Sequence, residues 1–382
     1  MMILKNGLVY SMDKIGTFVG DVKISEGKIT EVGANLNSDG CEVIDCTGLN
    51  IYPGFIDGHC HLGMCESSIG FEGDDVNETS DPVTPHVRAI DGLNVMDETI
   101  ALAASGGVTT VCSGPGSANV IGGTFTTFKT RGHAIDQMIV KDAIAMKCAF
   151  GENPKRFYKA DKIKTRMQTA AYIRETLVKT KNYLAQIERA GADASEMPTY
   201  DMKLEAMIPV IKKEIPLKTH AHRADDILTA LRIAREFDVK LTLDHCTEGH
   251  LIVDEIIASG FDAFVGPALT DKSKFELKNM TFKTCGILNK AGVKIAIVTD
   301  SPVIPQEYLP LCAGLAVKHG LDENEALKAI TINPAEILGL ADRMGSITVG
   351  KDADLVVSDG NILQTLTQVQ YTFINGECVY KA

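Results

Sequence analysis

Two pairs of histidines share a His-x-His spacing, and each pair ends a short apolar run of the sequence. His59 and His61 follow "YPGFIDG", and His220 and His222 follow "IPLKT". Residues i and i+2 of a strand point to the same side, so both imidazoles of a pair can face one point. A single pair of this kind is also common as a structural feature. The two pairs therefore suggest a metal site but do not establish one.

Two further apolar runs also end in residues that can bind a metal. "VKLTLDHC" ends in His245 and "VKIAIVTD" ends in Asp300. Imidazole together with carboxylate suits zinc, and also manganese, iron or nickel. With polar groups at the ends of four runs, the pattern favours a divalent metal site over a chance arrangement.

Lys147 lies inside another apolar run, "AIAMKCAFG". A lysine in such a position is costly unless its charge is neutralised or used. The residues alone leave two interpretations open. In the first, the methylene chain packs among apolar residues while the ammonium contacts a carboxylate. In the second, the amine is carboxylated by carbon dioxide and bridges two cations.

The elements that position these residues alternate between strand and helix. Six short apolar or β-branched runs read as strands, and helical patterns separate them. The runs are 107–114, 143–151, 215–222, 239–246, 261–266 and 293–302. This alternation predicts a parallel (β/α)8 TIM-like barrel, in which the carboxyl ends of the strands carry the chemistry. A doubly wound open sheet is the alternative, but no G-x-G-x-x-G follows the first strand. Residues 64–86 and 115–132 read as long loops over the barrel mouth.

Both ends of the chain have a different pattern, in which short predicted strands are joined by tight-turn signals such as "SEGK" and "NG". Neither end alone is expected to bury enough apolar area. The sequence therefore predicts a small β-sandwich domain built from residues 1–50 and 346–382 around a barrel of residues 51–345.

The chain has 382 residues, a formal net charge of −12 and a pI of about 5.3. Such a surface repels phosphate backbones and anionic bilayers, so we expect a small-molecule substrate and neither a nucleic acid nor a membrane partner. Ten scattered cysteines without CxxC pairs, and no signal-peptide pattern, favour reduced thiols and a cytoplasmic location.

The order of the motifs resembles that of the amidohydrolase superfamily, and within it the imidazolonepropionase-related and metal-dependent dipeptidase branch. The matching motifs are "GFIDGHCH", "GVTTV", "AMKCAFG", "KTHAH", "LDHC", "VTDSP" and "GKDADLVV". The resemblance covers nearly the whole chain and is specific for the superfamily but weak for the substrate. It implies a hydrolase of carbon–nitrogen bonds with two divalent metals, for which zinc is the first expectation. Related barrels commonly form homo-oligomers, but the sequence does not decide the oligomeric state.

The family motif also implies a role for each matching position. The metal ligands are His59, His61, Lys147, His220, His245 and Asp300. Asp300 is in addition the expected proton carrier, and His222 is expected to contact the substrate. Glu152, just past the lysine strand, is the alternative to Lys147 as bridging ligand.

A different activity, that of an aminohydrolase or imidazolonepropionase with one metal, remains the alternative. Those relatives tend to show HAxE or HAxQ, whereas Arg223 stands at the last position of that motif here. A scaffold without activity would be expected to lose histidine ligands, and all of them are present.

Overall fold

The computed structural model describes residues 1–67 and 70–382, with sixteen strands and eleven α-helices in that part of the chain. The strands are β1 (Met2–Tyr10), β2 (Thr17–Ser25), β3 (Lys28–Gly33), β4 (Glu42–Asp45), β5 (Asn50–Pro53), β6 (Phe55–Cys60), β7 (Val108–Ser113), β8 (Ile121–Lys129), β9 (Ile139–Ala149), β10 (Leu217–Ala221), β11 (Leu241–His245), β12 (Ala263–Val265), β13 (Ile295–Ile297), β14 (Leu355–Ser358), β15 (Val369–Ile374) and β16 (Glu377–Lys381). The helices are α1 (Glu98–Ser105), α2 (Ile135–Met138), α3 (Glu152–Phe157), α4 (Arg166–Ala190), α5 (Met202–Ile211), α6 (Ala224–Phe237), α7 (Val253–Ser259), α8 (Lys283–Lys290), α9 (Leu309–Lys318), α10 (Glu323–Lys328) and α11 (Ile332–Ile337).

Strands β6 to β13 form one eight-stranded sheet in sequence order. The sheet nearly closes between its two edge strands. The N–H of His61 donates to the carbonyl of Ser301 at 2.8 Å, and the backbone of Ala329 and Ile330 bonds to both β13 and β6 at the other end. The predicted TIM-like barrel is therefore confirmed, and the doubly wound alternative is wrong.

One barrel strand departs from the prediction. β8 runs antiparallel to both of its neighbours, β7 and β9, and it occupies much of the segment that we predicted to be a mouth loop, residues 115–132. The reason lies in the connection between β7 and β8, residues 114–120. A parallel crossover needs roughly a dozen residues or more, so this short link can only reverse the chain.

The two chain ends pair with each other in a second sheet, which we call the terminal sheet. Its order is β16-β15-β14-β5-β1-β2-β3, and β4 also pairs with β1. The "SEGK" and "NG" turns join β2 to β3 and β15 to β16, with positive φ at Glu26, Gly27, Asn375 and Gly376. The predicted pairing of the chain ends is confirmed. Their arrangement as a sandwich domain, and its boundaries at 50 and 346, remain predictions.

A group of charged residues joins β8 to the segment before β14, and we call it the junction cluster: Lys28, Lys129, Arg343, Asp352 and Asp354. The buried Lys129 ammonium contacts Asp354 and lies 3.2 Å from Asp352. Lys28 and Arg343 approach the two oxygens of Asp352 at 2.6 and 2.7 Å. Each charge buried at this contact between the two sheets therefore has an opposite charge beside it.

The helices follow the apolar periodicity of the sequence. Ile173 and Leu177 are buried on α4, and Ile227 and Leu231 are buried on α6, as their spacing predicts. Asp322 caps α10 by accepting from two backbone N–H groups. In the described ranges no helix combines the length and the apolar character needed to cross a bilayer. All ten cysteines lie in those ranges, and none is in a disulfide.

Candidate metal centre

His59 and His61 lie where β6 ends, and both are buried. The Nε2 atoms of His59 and His61 lie 3.5 and 3.2 Å from the same oxygen of Asp300, Oδ1. Nδ1 of His61 donates to the Gly114 carbonyl at 2.6 Å when the ring carries its proton there, which leaves Nε2 free. We call His59, His61 and Asp300 the inner group.

Three further histidines form what we call the outer group: His220, His222 and His245. Each ring has its Nδ1 atom at hydrogen-bond distance from an oxygen. The partners are Ser117 Oγ at 2.9 Å, Thr247 Oγ1 at 2.7 Å and the Gly266 carbonyl at 2.8 Å, respectively. A histidine whose Nδ1 is engaged in this way presents Nε2 as a ligand atom, which is the usual arrangement in metal sites. One ligand atom from each ring lies within 4.8 Å of the others.

The two groups meet at His245. Its ligand atom also lies within 4.8 Å of those of His59 and Asp300. Besides Nδ1 of His59, which lies beside Asp244, four buried atoms of the two groups make no hydrogen bond within residues 1–67 and 70–382. They are Nε2 of His59, Nε2 of His220, Nε2 of His245 and Oδ1 of Asp300. Buried polar atoms are nearly always hydrogen-bonded, so this concentration fits the binding of divalent cations.

The charge states also suit cation binding. Burial lowers the pKa of His59, His220 and His222, and it lowers that of His245 to about 3, so the rings are neutral at pH 7. Burial alone would raise the pKa of Asp300, but the facing histidines outweigh burial and hold it well below its usual value. Neutral imidazoles and an ionised carboxylate are the ligand forms that a metal requires.

Lys147 lies on β9, fully buried, and its stem is close to Gly122 of β8. Among the described residues its ammonium nitrogen has no hydrogen-bond partner, and the ring of Phe125 is 5.4 Å away. Burial lowers the pKa of Lys147 to about 8, so the neutral fraction near pH 7 is far larger than for an ordinary lysine, although the charged form still predominates. Such an amine is chemically suited to carboxylation. Glu152, the alternative, donates its backbone N–H to Oε2 of Glu276 at 2.9 Å.

Three buried charged residues at the centre have no place in the sequence analysis. Asp244 lies 2.6 Å from Nδ1 of His59, although its oxygen is off the direction of the ring N–H. Lys218, in register with Lys147 across β9 and β10, lies 3.1 Å from the same oxygen of Asp244. Glu276, in the loop after β12, faces His220 and His222 at 3.8 and 3.7 Å. Asp244 thus contacts the inner group through His59, and Lys218 contacts Asp244. Glu276 borders the outer group.

The backbone at two candidate ligands is unusual. His245 and Asp300 have φ values of 70° and 54°, in the left-handed region that residues other than glycine rarely adopt. Such conformations cluster at functional sites, because the surrounding structure must hold them in place. The His245 ring lies 4.9 Å from that of His59, measured between centroids, and Asp244 also contacts His59.

A cavity of about 410 Å³ lies between Met64, residues 75–92 and residues 115–122, and none of the predicted ligands lines it. Met64, His86, Arg88, Pro115 and Gly122 are among its lining residues. This volume suits a small-molecule ligand. A cavity of similar size, about 420 Å³, lies at the opposite end of the barrel, and Lys218 is among its lining residues.

Several other polar residues and cysteines make structural contacts. Arg88 pairs with Asp142 at 2.7 Å, and Arg223 pairs with Asp225 at 2.8 Å. Cys60 and Cys246 are buried among apolar side chains of the barrel wall.

Comparisons with known proteins identify the family of this chain and support its fold. The sequence model of the Amidohydrolase family matches residues 50–379. A crystal structure of an amidohydrolase from Thermotoga maritima MSB8 superposes with a TM-score of 0.97 at 44% identity, over 100% of both chains. Amidohydrolase tasK of Hapsidospora irregularis is 29% identical over 91% of this chain, which spans only 38% of that relative. The imidazolonepropionase of Thermoplasma acidophilum is 27% identical, over 88% of this chain and 84% of its own length.

Proposed function

The chain belongs to the amidohydrolase family, whose hydrolase-named relatives indicate an enzyme acting on carbon–nitrogen bonds, and we propose that it hydrolyses an amide, a cyclic amide or a dipeptide-like bond with the aid of divalent cations. The observation that carries the proposal is the convergence of five histidines and Asp300 at one end of the barrel, with four buried ligand atoms that make no hydrogen bond among the described residues.

We propose two zinc ions as the cations. His59, His61 and Asp300 would hold the inner ion, and His220 and His245 would hold the outer ion. Lys147 would bridge them as a carbamate, formed when its neutral amine adds to carbon dioxide and loses a proton. Bound cations of this kind lower the pKa of water to near 7 and polarise a substrate carbonyl.

Asp300 performs the proton transfer in this proposal. Its carboxylate is ionised, and Oδ1 faces the same space as the ligand nitrogens of the inner group. It accepts a proton from the attacking water and donates it to the departing nitrogen, which leaves as a neutral amine. The left-handed backbone at Asp300 fixes the carboxylate in this position.

The nearby cavity gives the substrate room. It is lined by residues from the loops that follow β6 and β7, and it reaches Gly122 beside the stem of Lys147. A pocket of this size accommodates an N-acyl amino acid, a dipeptide or a small cyclic amide.

A substrate screen tests the proposal. Zinc-loaded protein is assayed on N-acyl amino acids, dipeptides, hydantoins and lactams, with His59→Ala as the negative control. We expect hydrolysis of at least one class and none by the control. Absence of hydrolysis in all four classes, together with ammonia release from amino-substituted rings, would favour the aminohydrolase alternative.

Metal analysis tests the bridge separately. We expect about two equivalents of zinc per chain, and one equivalent after Lys147→Ala. Glu152→Ala is the matched variant at the other candidate bridge and should retain both ions. Loss of an ion from Glu152→Ala but not from Lys147→Ala would assign the bridge to Glu152.

A further inference from the structure

We propose that His222 and Glu276 are direct ligands of the outer cation, which is then held by three imidazoles and one carboxylate. The inference rests on the proposed function only in treating the cluster as a metal centre. It gives His222 a role different from the substrate contact that the sequence suggests.

His222 has the same hydrogen-bond arrangement at Nδ1 as His220 and His245, the two outer ligands that the sequence predicts. Its Nδ1 is engaged by Thr247 Oγ1 at 2.7 Å, as the Nδ1 atoms of His220 and His245 are engaged by oxygens. Its ring lies 4.6 Å from that of His220 and 4.7 Å from that of His245, measured between centroids. A histidine that served only to contact substrate would not need this shared geometry, whereas a third ligand would.

Glu276 supplies the carboxylate. Its side chain is 1% exposed, and Oε1 lies 3.8 Å from Nε2 of His220 and 3.7 Å from Nε2 of His222. These distances are too long for hydrogen bonds. They suit two ligand atoms that share one ion, since bonds of about 2.0–2.2 Å at open angles separate ligand atoms by about 3.3–3.8 Å.

The loop around Glu276 holds the carboxylate toward the histidines. Its Oε2 accepts from the backbone N–H of Glu152 at 2.9 Å. Gly151 makes this approach possible, because a Cβ at Gly151 would lie 2.7 Å from Oε2. Oε1 is reached by the Lys274 ammonium at 3.2 Å. Lys274 therefore places a positive charge where the outer cation would contact the carboxylate, and the two compete.

A four-ligand outer site has a direct consequence. The outer cation would not depend on the Lys147 bridge, because His220, His222, His245 and Glu276 would offer it four ligand groups. The Lys147→Ala variant should then retain one ion, bound at the outer site.

The experiment measures zinc and cobalt binding in the Lys147→Ala background. We combine it with His222→Asn, with Glu276→Gln and, as the matched control, with His250→Asn, whose Nδ1 bonds to Thr284 at 3.0 Å outside the cluster. We expect His222→Asn and Glu276→Gln each to weaken zinc affinity about 10–100-fold or more and to change the visible spectrum of bound cobalt, while His250→Asn changes neither. Lys274→Met should tighten zinc binding.

Wild-type affinity and an unchanged cobalt spectrum in both variants would overturn the inference. Glu276→Gln keeps an oxygen for the Glu152 N–H, so it provides a test even where His222→Asn fails to fold. Substrate turnover is not a readout. A protein with the expected metal binding that hydrolyses nothing would contradict the proposed function alone, and a hydrolase whose variants bind zinc normally would contradict this inference alone.

Discussion

The metal centre and the junction cluster both bury lysine and aspartate side chains, but they differ in whether these side chains have partners within the protein. At the junction, the Lys129 ammonium contacts Asp352 and Asp354. Lys28 lies beside Oδ1 of Asp352, and Arg343 lies beside its Oδ2. At the centre, Lys147 and four ligand atoms of the histidines and Asp300 have no hydrogen-bond partner in the described chain.

The difference distinguishes structural from functional burial of charge. Burying an ion is costly unless an opposite charge compensates it. The junction provides that compensation within the protein. The centre provides only part of it, in the contact of Lys218 with Asp244, and leaves the remaining ligand atoms for something that the chain itself does not contain.

The strongest test of this distinction removes a ligand at the centre. Asp300→Ala should lower kcat about 10⁴-fold or more, because it removes both a cation ligand and the proton carrier, while the fold remains intact. Steady-state kinetics on a hydrolysed amide, with circular dichroism as the folding control, checks this. An active Asp300→Ala enzyme would contradict the assignment of the site.

The converse test removes the buried cation at the junction. Lys129→Met should lower the free energy of unfolding by about 3–5 kcal/mol, because it leaves two buried carboxylates facing each other with less compensation. Urea unfolding measures the loss. The kcat of the folded variant should match that of the wild type, and a drop in kcat without loss of stability would remove the contrast between the two regions.

An intermediate effect is expected at Asp244, which combines features of both regions. Asp244→Asn keeps the shape but removes the charge between His59 and Lys218, so zinc affinity at the inner group should fall about 10–100-fold. Competition with a chromophoric chelator measures this. Unchanged affinity would place Asp244 with the purely structural charges of the junction.

The smallest effect concerns pH. Burial alone would raise the pKa of Asp352, but Lys129 and its other cationic neighbours outweigh burial and lower it. A carboxyl group whose pKa is lower in the folded state stabilises the fold above its unfolded pKa of about 3.9, and this contribution disappears as the pH falls through the folded value. Urea unfolding from pH 7 to pH 3 should therefore show an acid-dependent loss that is smaller in Asp352→Asn. Equal loss in both proteins would contradict the prediction.

The sequence predicts the barrel and the candidate ligands because both depend on short-range patterns. Strand ends and the His-x-His alternation are visible in a single stretch of chain. Lys218 also had a signal, since it lies two residues before His220 and so points the same way. The length of residues 114–120 equally indicated that β8 reverses direction.

Other features could not be predicted from the sequence. Asp244 precedes His245, so alternation places the two on opposite sides, whereas in the structure both lie beside His59 and His245 has a left-handed backbone. Glu276 lies in a one-turn 3-10 helix, Phe275–Leu277, and no sequence pattern connects it to the histidines. Its position depends on contacts with Gly151 and Glu152, which are more than 120 residues away.

The reversed direction of β8 makes residues 114–120 a short arch across the rim of the barrel. Gly114, at one end, holds His61, and Ser117, in the middle, holds His220. A single inserted residue in this arch would therefore disturb both ends of the centre at once. The return link between β8 and β9 lies at the far end of the barrel, so a circular permutant opened at Gly132 should leave the arch intact.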